Sequence, residues 1–271
     1  MSSEPQRFAT FEKEGRVATI TFNRPESRNA IGTAQDCADI LEAMQRASED
    51  PQISCIILTG AGTAFSAGGN LRAMKERRGI GRLDSPANTR SNYKRGVQQV
   101  IKALWECEIP MIAAINGHAI GLGLDLAAIC DIRIASEKAK FASSFIKMGL
   151  IPGDGGAWIL PRAVGLSKAS EMILTGNTYD AAQMLQAGLI SSAVAPDQLM
   201  NEARAMAVNI VCNPAKSLRM AKRLLREGQQ QRLTDVLELA SAMQAIAHET
   251  EDSIEAVDAF LEKRDPNFTG Q

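Results

Sequence analysis

The chain has 271 residues, a formal net charge of −1 and 45% hydrophobic residues, enough for one large core and too evenly charged for a general nucleic-acid binder. Two histidines and five scattered cysteines, with no C-x-x-C pair, leave little material for a metal site and favour reduced, buried thiols in a cytoplasmic protein. The opening Met-Ser-Ser-Glu-Pro-Gln-Arg lacks the apolar segment of a secretory signal, and no apolar run approaches the roughly 18 residues of a membrane span.

In chain order, residues 17–22 alternate and are β-branched, which predicts a strand. Asn23-Arg-Pro-Glu follows as a turn, because proline excludes the helical region for the residue before it. Cys37, Ile40, Leu41, Met44 and Ala47 recur at helical spacing and predict a helix ending near Asp50-Pro51. Residues 53–59 are apolar throughout, as a parallel strand buried on both faces requires. The basic, Gly- and Pro-containing segment 72–90 reads as a short helix and then a mobile loop. Val97, Val100, Ile101, Leu104 and Trp105 mark another helix; residues 111–115 read as a second buried strand and 131–135 as a short third.

The order strand, glycine turn, helix, strand argues for an α/β layered or spiral core over residues 1–200. Beyond residue 200 only helical periods remain, around Val208, Leu218, Val236 and Ile254. Residues 201–271 therefore read as a helical region whose amphipathic faces cover this core or a neighbouring subunit.

Two glycine-rich bends concentrate the chemistry. The first runs Gly60-Ala-Gly-Thr-Ala-Phe-Ser-Ala-Gly-Gly-Asn70, the second Asn116-Gly-His-Ala-Ile-Gly-Leu-Gly123. Each leaves backbone N–H groups free at a strand end, and two aimed at one point would stabilise a developing negative charge. Asp125 sits one turn into the helix that follows the second bend. The combination reads as a site for a carbonyl compound passing through an enolate. Gly60-Ala-Gly-Thr-Ala-Phe65 and Gly121-Leu-Gly-Leu-Asp-Leu126 each lack the third glycine of a dinucleotide fingerprint, and neither a P-loop nor a G-x-S-x-G elbow occurs. His118 reads as a packed polar residue of its turn.

The residues resemble a known family. Phe65-Ser-Ala-Gly-Gly-Asn-Leu71 is similar to the "F-S-A-G-x-D-L" stretch of the crotonase (enoyl-CoA hydratase/isomerase) superfamily. Asn116-Gly-x-x-x-Gly-x-Gly123 with Cys130-Asp-Ile-Arg-Ile-Ala135 resembles its second signature, and residues 141–161 its third. Asn23-Arg-Pro-Glu-x-x-Asn-Ala30 and Phe260-Leu-Glu-Lys-Arg-x-Pro-x-Phe268 match near the two ends.

The resemblance implies a ββα spiral core, a helical C-terminal trimerisation region, and a homotrimer or dimer of trimers. It implies an acyl-CoA substrate, with no metal or redox cofactor and no nucleic-acid or membrane partner. The thioester oxygen would lie between the N–H groups of Gly69 and Leu122; losing one such donor typically costs about 3 kcal/mol of transition-state stabilisation. By the same resemblance, Arg28 and Ala30 would lie by the adenine and phosphates of CoA, and Ala67, Asn70, Leu71 and Arg72 along its path. Phe260 and Lys263 would reach a neighbour's CoA, and Lys75, Arg77, Arg78 and Arg82 read equally as a basic rim for the phosphates or as a solvated helix face.

The chain departs from the family's hydratases where they place two glutamates. Asp125 stands at the first position and Phe145, which transfers no proton, at the second, where it would shape an apolar acyl pocket. Asp154 lies one residue from where some isomerases carry a catalytic aspartate, and a carboxyl group beside Phe145 and Trp158 would have a raised pKa. Its bland alternative is a helix cap. The reading is an enoyl-CoA hydratase or isomerase in which Asp125 and Asp154 share the proton work. The alternatives are a thioester or C–C hydrolase, and a non-catalytic protein that binds acyl-CoA or RNA.

Overall fold

A computed structural model describes residues 7–81 and 83–270. β1 (Ala9–Glu14) and β2 (Val17–Phe22) pair antiparallel and lead through a 3-10 turn (Pro25–Ser27) to α1 (Ala34–Glu49). A capping box starts α1: Asp36 N donates to Thr33 Oγ1 at 3.1 Å, and the Asp36 carboxylate accepts from Thr33 N at 2.9 Å. Then follow β3 (Cys55–Gly60), β4 (Ala64–Ser66), α2 (Leu71–Lys75), α3 (Pro86–Arg95) and α4 (Val97–Glu106). The pattern recurs with β5 (Met111–Ile115), β6 (His118–Ile120) and α5 (Leu122–Ala128). It recurs again with β7 (Ile132–Ser136), β8 (Lys140–Ala142), a 3-10 turn (Ser144–Met148) and α6 (Gly156–Thr175). β9 (Tyr179–Asp180), α7 (Ala181–Gln186) and β10 (Ser192–Val194) close the core. The chain ends in α8 (Leu199–Val211), α9 (Ala215–Glu227), α10 (Leu233–His248) and α11 (Glu251–Glu262).

The strands form two sheets, ordered β1-β2-β3-β5-β7-β10 and β4-β6-β8-β9. Pairing is parallel from β2 onward in the first and from β4 to β8 in the second. Each of β3, β5 and β7 turns a short corner into a strand of the second sheet, and a helix then carries the chain back. This is a ββα spiral. The apolar runs in β3 and β5 have the cause expected of them: one face packs in the main core. The other, with Cys55, Ile57, Ile112 and Ala114, lies under Leu199, Ala203 and Ala207 of α8.

The C-terminal helices attach unequally. On α9 the buried Lys222 donates to Asp131 Oδ2 at 2.6 Å and to Ile109 O, while Arg226 donates to Cys107 O at 2.8 Å. α10 packs on α9 but buries no residue of its own, and Leu233, Ile254 and Phe260 are exposed on α10 and α11. Among the described residues no helix is long and apolar enough to cross a membrane.

Several expectations are corrected. β4, β6 and β8 are absent from the sequence reading, since three-residue strands are too short to display a period. Residues 86–90, expected as the end of a mobile loop, instead open α3, started by Pro86 in the first turn and by Ser85 Oγ accepting from Asn88 N at 3.2 Å. His118 is exposed on β6 rather than packed, and Cys212 is exposed while the other four cysteines are buried.

Candidate active site

The first glycine bend is fixed by the segment after the 3-10 turn. Ile31 N donates to Gly68 O at 2.8 Å and Asn70 N donates to Ile31 O at 3.0 Å, forming a parallel bridge between Ile31 and Gly69. That pattern uses the peptides on either side of Gly69 and turns its own N–H to the opposite side. Among the described residues neither the Gly69 nor the Leu122 N–H donates to a protein acceptor. The two bends abut: a Cβ built on Gly68, whose φ is +82°, would lie 2.4 Å from Ile120 O and 3.2 Å from Leu122 N. Only glycine permits this approach, and it brings the two free donors to one place.

Asn29 holds this arrangement from beneath. It is fully buried with φ 56°, a conformation asparagine tolerates better than most residues. Its Nδ2 donates to Ala61 O at 2.9 Å and Ala64 O at 2.8 Å, and its Oδ1 accepts from Arg24 N at 2.9 Å. Ser66 Oγ donates to Asn29 O at 2.8 Å and accepts from Gly68 N at 3.1 Å. Sequence reasoning passed over both residues; an asparagine inside a turn motif was the available signal.

The second bend leads directly to the acids. Gly121, with φ 55°, precedes α5, and Asp125 projects from its first turn into a fully buried space. Asp154, 4% exposed, lies in the turn before α6 and is the charged neighbour of Asp125. Gly155 is the N-cap of α6 and no side chain caps it, so Asp154 is not its cap. The other polar neighbour of Asp125 is the Gly156 N–H. Neither oxygen of Asp125, nor Oδ1 of Asp154, completes a hydrogen bond. Burial first, and then the charge of Asp154, push the Asp125 carboxyl well above the usual carboxylate range; burial also pushes Asp154 up. Two carboxyl groups in one dry space resist being ionised together.

Phe145 lies against the second bend, with Cζ 3.4 Å from where a Cβ on Gly121 would sit. Trp158 points elsewhere: its ring meets Trp105 edge-on at 4.7 Å, and Arg162 stacks on it at 3.9 Å. The proposed CoA residues divide into two places. Arg28 and Ala67 meet through the Ala67 N to Arg28 O bond at 2.9 Å. Ala30 is buried beside them, and Leu71 and Arg72 are exposed at the start of α2. Asn70 spends its side chain on capping α2, with Oδ1 accepting from Ala73 N at 3.1 Å. Phe260 (82% exposed) and Lys263 lie on and just after α11, which packs on α10. Lys75, Arg77 and Arg78 are exposed, Arg78 pairing with Glu76; Arg82 lies outside the described residues.

Residues 12–271 match the model of the family described as "Enoyl-CoA hydratase/isomerase". The chain is 36% identical over 260 residues to a short-chain-enoyl-CoA hydratase of Clostridium acetobutylicum, covering 93% of this chain and 94% of that one. It is 34% identical over 258 residues to a 1,2-epoxyphenylacetyl-CoA isomerase of Escherichia coli, covering 95% and 97%. The crystal structure of an enoyl-CoA hydratase from Bacillus anthracis superposes with a TM-score of 0.91 at 28% identity, over 98% of this chain and 100% of that one.

Proposed function

Because the chain belongs to the enoyl-CoA hydratase/isomerase family, we propose that it processes an unsaturated acyl-CoA thioester through an enolate, by hydration or by double-bond isomerisation. The observation that carries this reading is that Asp125 and Asp154, both buried and both pushed above the usual carboxylate range, stand together beside the two converging glycine bends.

The thioester oxygen accepts from the Gly69 and Leu122 N–H groups, which stabilise the charge that develops there. In isomerisation the ionised member of the acid pair removes a proton from C2 of a 3-enoyl thioester. The electron pair passes to the thioester oxygen, and the proton is returned at C4 as the double bond moves to C2. In hydration the ionised member takes a proton from water as its oxygen bonds to C3, and the protonated member delivers a proton to C2. Either route needs one acid and one base, which a pair sharing one proton supplies. Phe145 then walls the acyl group, and the reaction uses no cofactor beyond the CoA carried by the substrate.

Arg28, Ala67, Leu71 and Arg72 form the CoA path on this reading, with Phe260 and Lys263 acting across a subunit boundary. The exposed apolar residues of α10 and α11 support a homotrimer or a dimer of trimers. Buried thiols suit a reducing compartment, and we place the activity in the cytoplasm.

Incubation with a 2-enoyl-CoA and a 3-enoyl-CoA in deuterated water, followed by mass, tests the reading. Water gained by the first substrate makes the protein a hydratase; conversion of the second without water makes it an isomerase. Release of free CoA thiol, or binding with turnover of neither, overturns it.

A further inference from the structure

Asp154 reaches Asp125 from a segment, residues 149–155, that has no helix or strand of its own. The backbone that carries Asp154 is held from outside by three groups on α3 and α4. Gln98 Nε2 donates to Gly153 O at 2.9 Å. The Tyr93 ring roofs the same residue, its Cε1 3.6 Å from where a Cβ on Gly153 would sit, and Ile101 Cγ2 stands 3.3 Å from the corresponding point on Gly155. The Tyr93 phenol is itself within the field of Asp154. Among the described residues, the titratable groups that face Asp154 are Asp125 from α5 and Tyr93 from α3.

The same helix reaches the other half of the site. Asn92, beside Tyr93, donates through Nδ2 to Gly79 O at 2.6 Å. Gly79 and Gly81 follow α2, and Met74 of α2 fills the space against both Gly69 and Gly81. α3 therefore joins the segment carrying one backbone donor to the segment carrying one acid.

We propose that Gln98 and Tyr93 are positioning residues for the proton transfer: Gln98 fixes the Gly153 carbonyl, Tyr93 roofs the turn, and together they keep the Asp154 carboxyl against Asp125. The inference rests on the reading that Asp154 shares the proton work. Neither side chain touches the reacting atoms; both act through Asp154.

The test uses Gln98→Leu, Tyr93→Ala, Tyr93→Phe and Asp154→Asn in the full chain, with kcat and KM measured on whichever enoyl-CoA the native protein converts. Gln98→Leu is expected to lower kcat about tenfold with KM changed less than about twofold, the signature of a lost transition-state arrangement rather than lost binding. Tyr93→Ala removes the ring that roofs the turn and is expected to lower kcat by a similar factor with KM little changed, while Tyr93→Phe, which keeps the ring and its packing, is expected to restore the native kcat. If Gln98→Leu and Tyr93→Ala keep native kcat while their melting temperatures fall, these side chains only pack the core and the inference is overturned. Asp154→Asn separates the levels. Full activity in that variant overturns the proton-sharing reading together with the inference. Loss of activity there beside unchanged Gln98 and Tyr93 variants overturns the positioning role alone.

Discussion

A Cβ placed on Gly156 would lie 2.5 Å from both carboxylate oxygens of Asp125. The first residue of α6 is thus pressed against the acid of α5, and the absent side chain is what makes the space for the carboxyl group. Gly156→Ala forces either the helix or the acid to move. We expect kcat to fall on the order of 100-fold from misplacement of the acid, and unfolding stability to fall by about 1–3 kcal/mol from overpacking. Steady-state kinetics and urea titration of the same preparation check both.

Asp125→Asn separates function from stability. The carboxyl group is fully buried and accepts no well-formed hydrogen bond from a protein donor, so an amide of similar shape removes a charge that burial opposes. We expect kcat to drop by about 10²–10⁴-fold as the acid–base pair is lost, with a melting temperature equal to or above that of the native chain. A calorimetric scan showing clear destabilisation would contradict the placement of the acid.

The acid pair also fixes the sign of a pH effect. Both carboxyl groups titrate above their ordinary range in the folded chain, through burial and, for Asp125, the neighbouring charge. The native state therefore keeps protons that the unfolded chain releases. Unfolding free energy is greatest below the ordinary carboxylate pKa and declines as pH rises through the raised folded values. Urea midpoints measured from mildly acidic to neutral pH should fall along this course, and the fall should shrink in the double variant Asp125→Asn, Asp154→Asn.

Asn29→Ala removes the donor to two corner carbonyls and the acceptor for Arg24 N. Asn116 Nδ2 still serves Ala64 O at 3.2 Å, but Ala61 O is left without that partner. The loss, with alanine forced into a left-handed conformation, should cost about 2–4 kcal/mol. Because the segment that follows fixes Gly68 and Gly69, KM for the acyl-CoA should rise as well. Denaturant curves and kinetics measure the two effects.

The elements legible in the sequence are those whose cause is local. β3 and β5 announce themselves because burial on both faces leaves no polar residue in the run, and α8 to α11 because their apolar stripes repeat at helical period. Asp125 was legible from its offset to a glycine bend. The partnership of Asp125 with Asp154 was suspected, but its physical basis, the bare α-carbon of Gly156, has no signature in the chain. The second sheet escaped because β4, β6 and β8 each offer too few residues to alternate. α3 escaped because its proline and serine, a start signal, read equally well as loop residues. The roles of Tyr93, Gln98 and Asn29 depend on contacts across the spiral that no spacing encodes.

The buried thiols have a practical consequence. Cys37, Cys55, Cys107 and Cys130 are sealed in the interior, and burial pushes the thiols of Cys37, Cys55 and Cys130 up to about 12. An alkylating reagent at neutral pH meets Cys212 on the intact chain and all five sulfurs once it opens. The mass of the alkylated product therefore separates molecules that have opened from those that have not, and the growth of the fully alkylated fraction with time clocks how fast the interior comes apart.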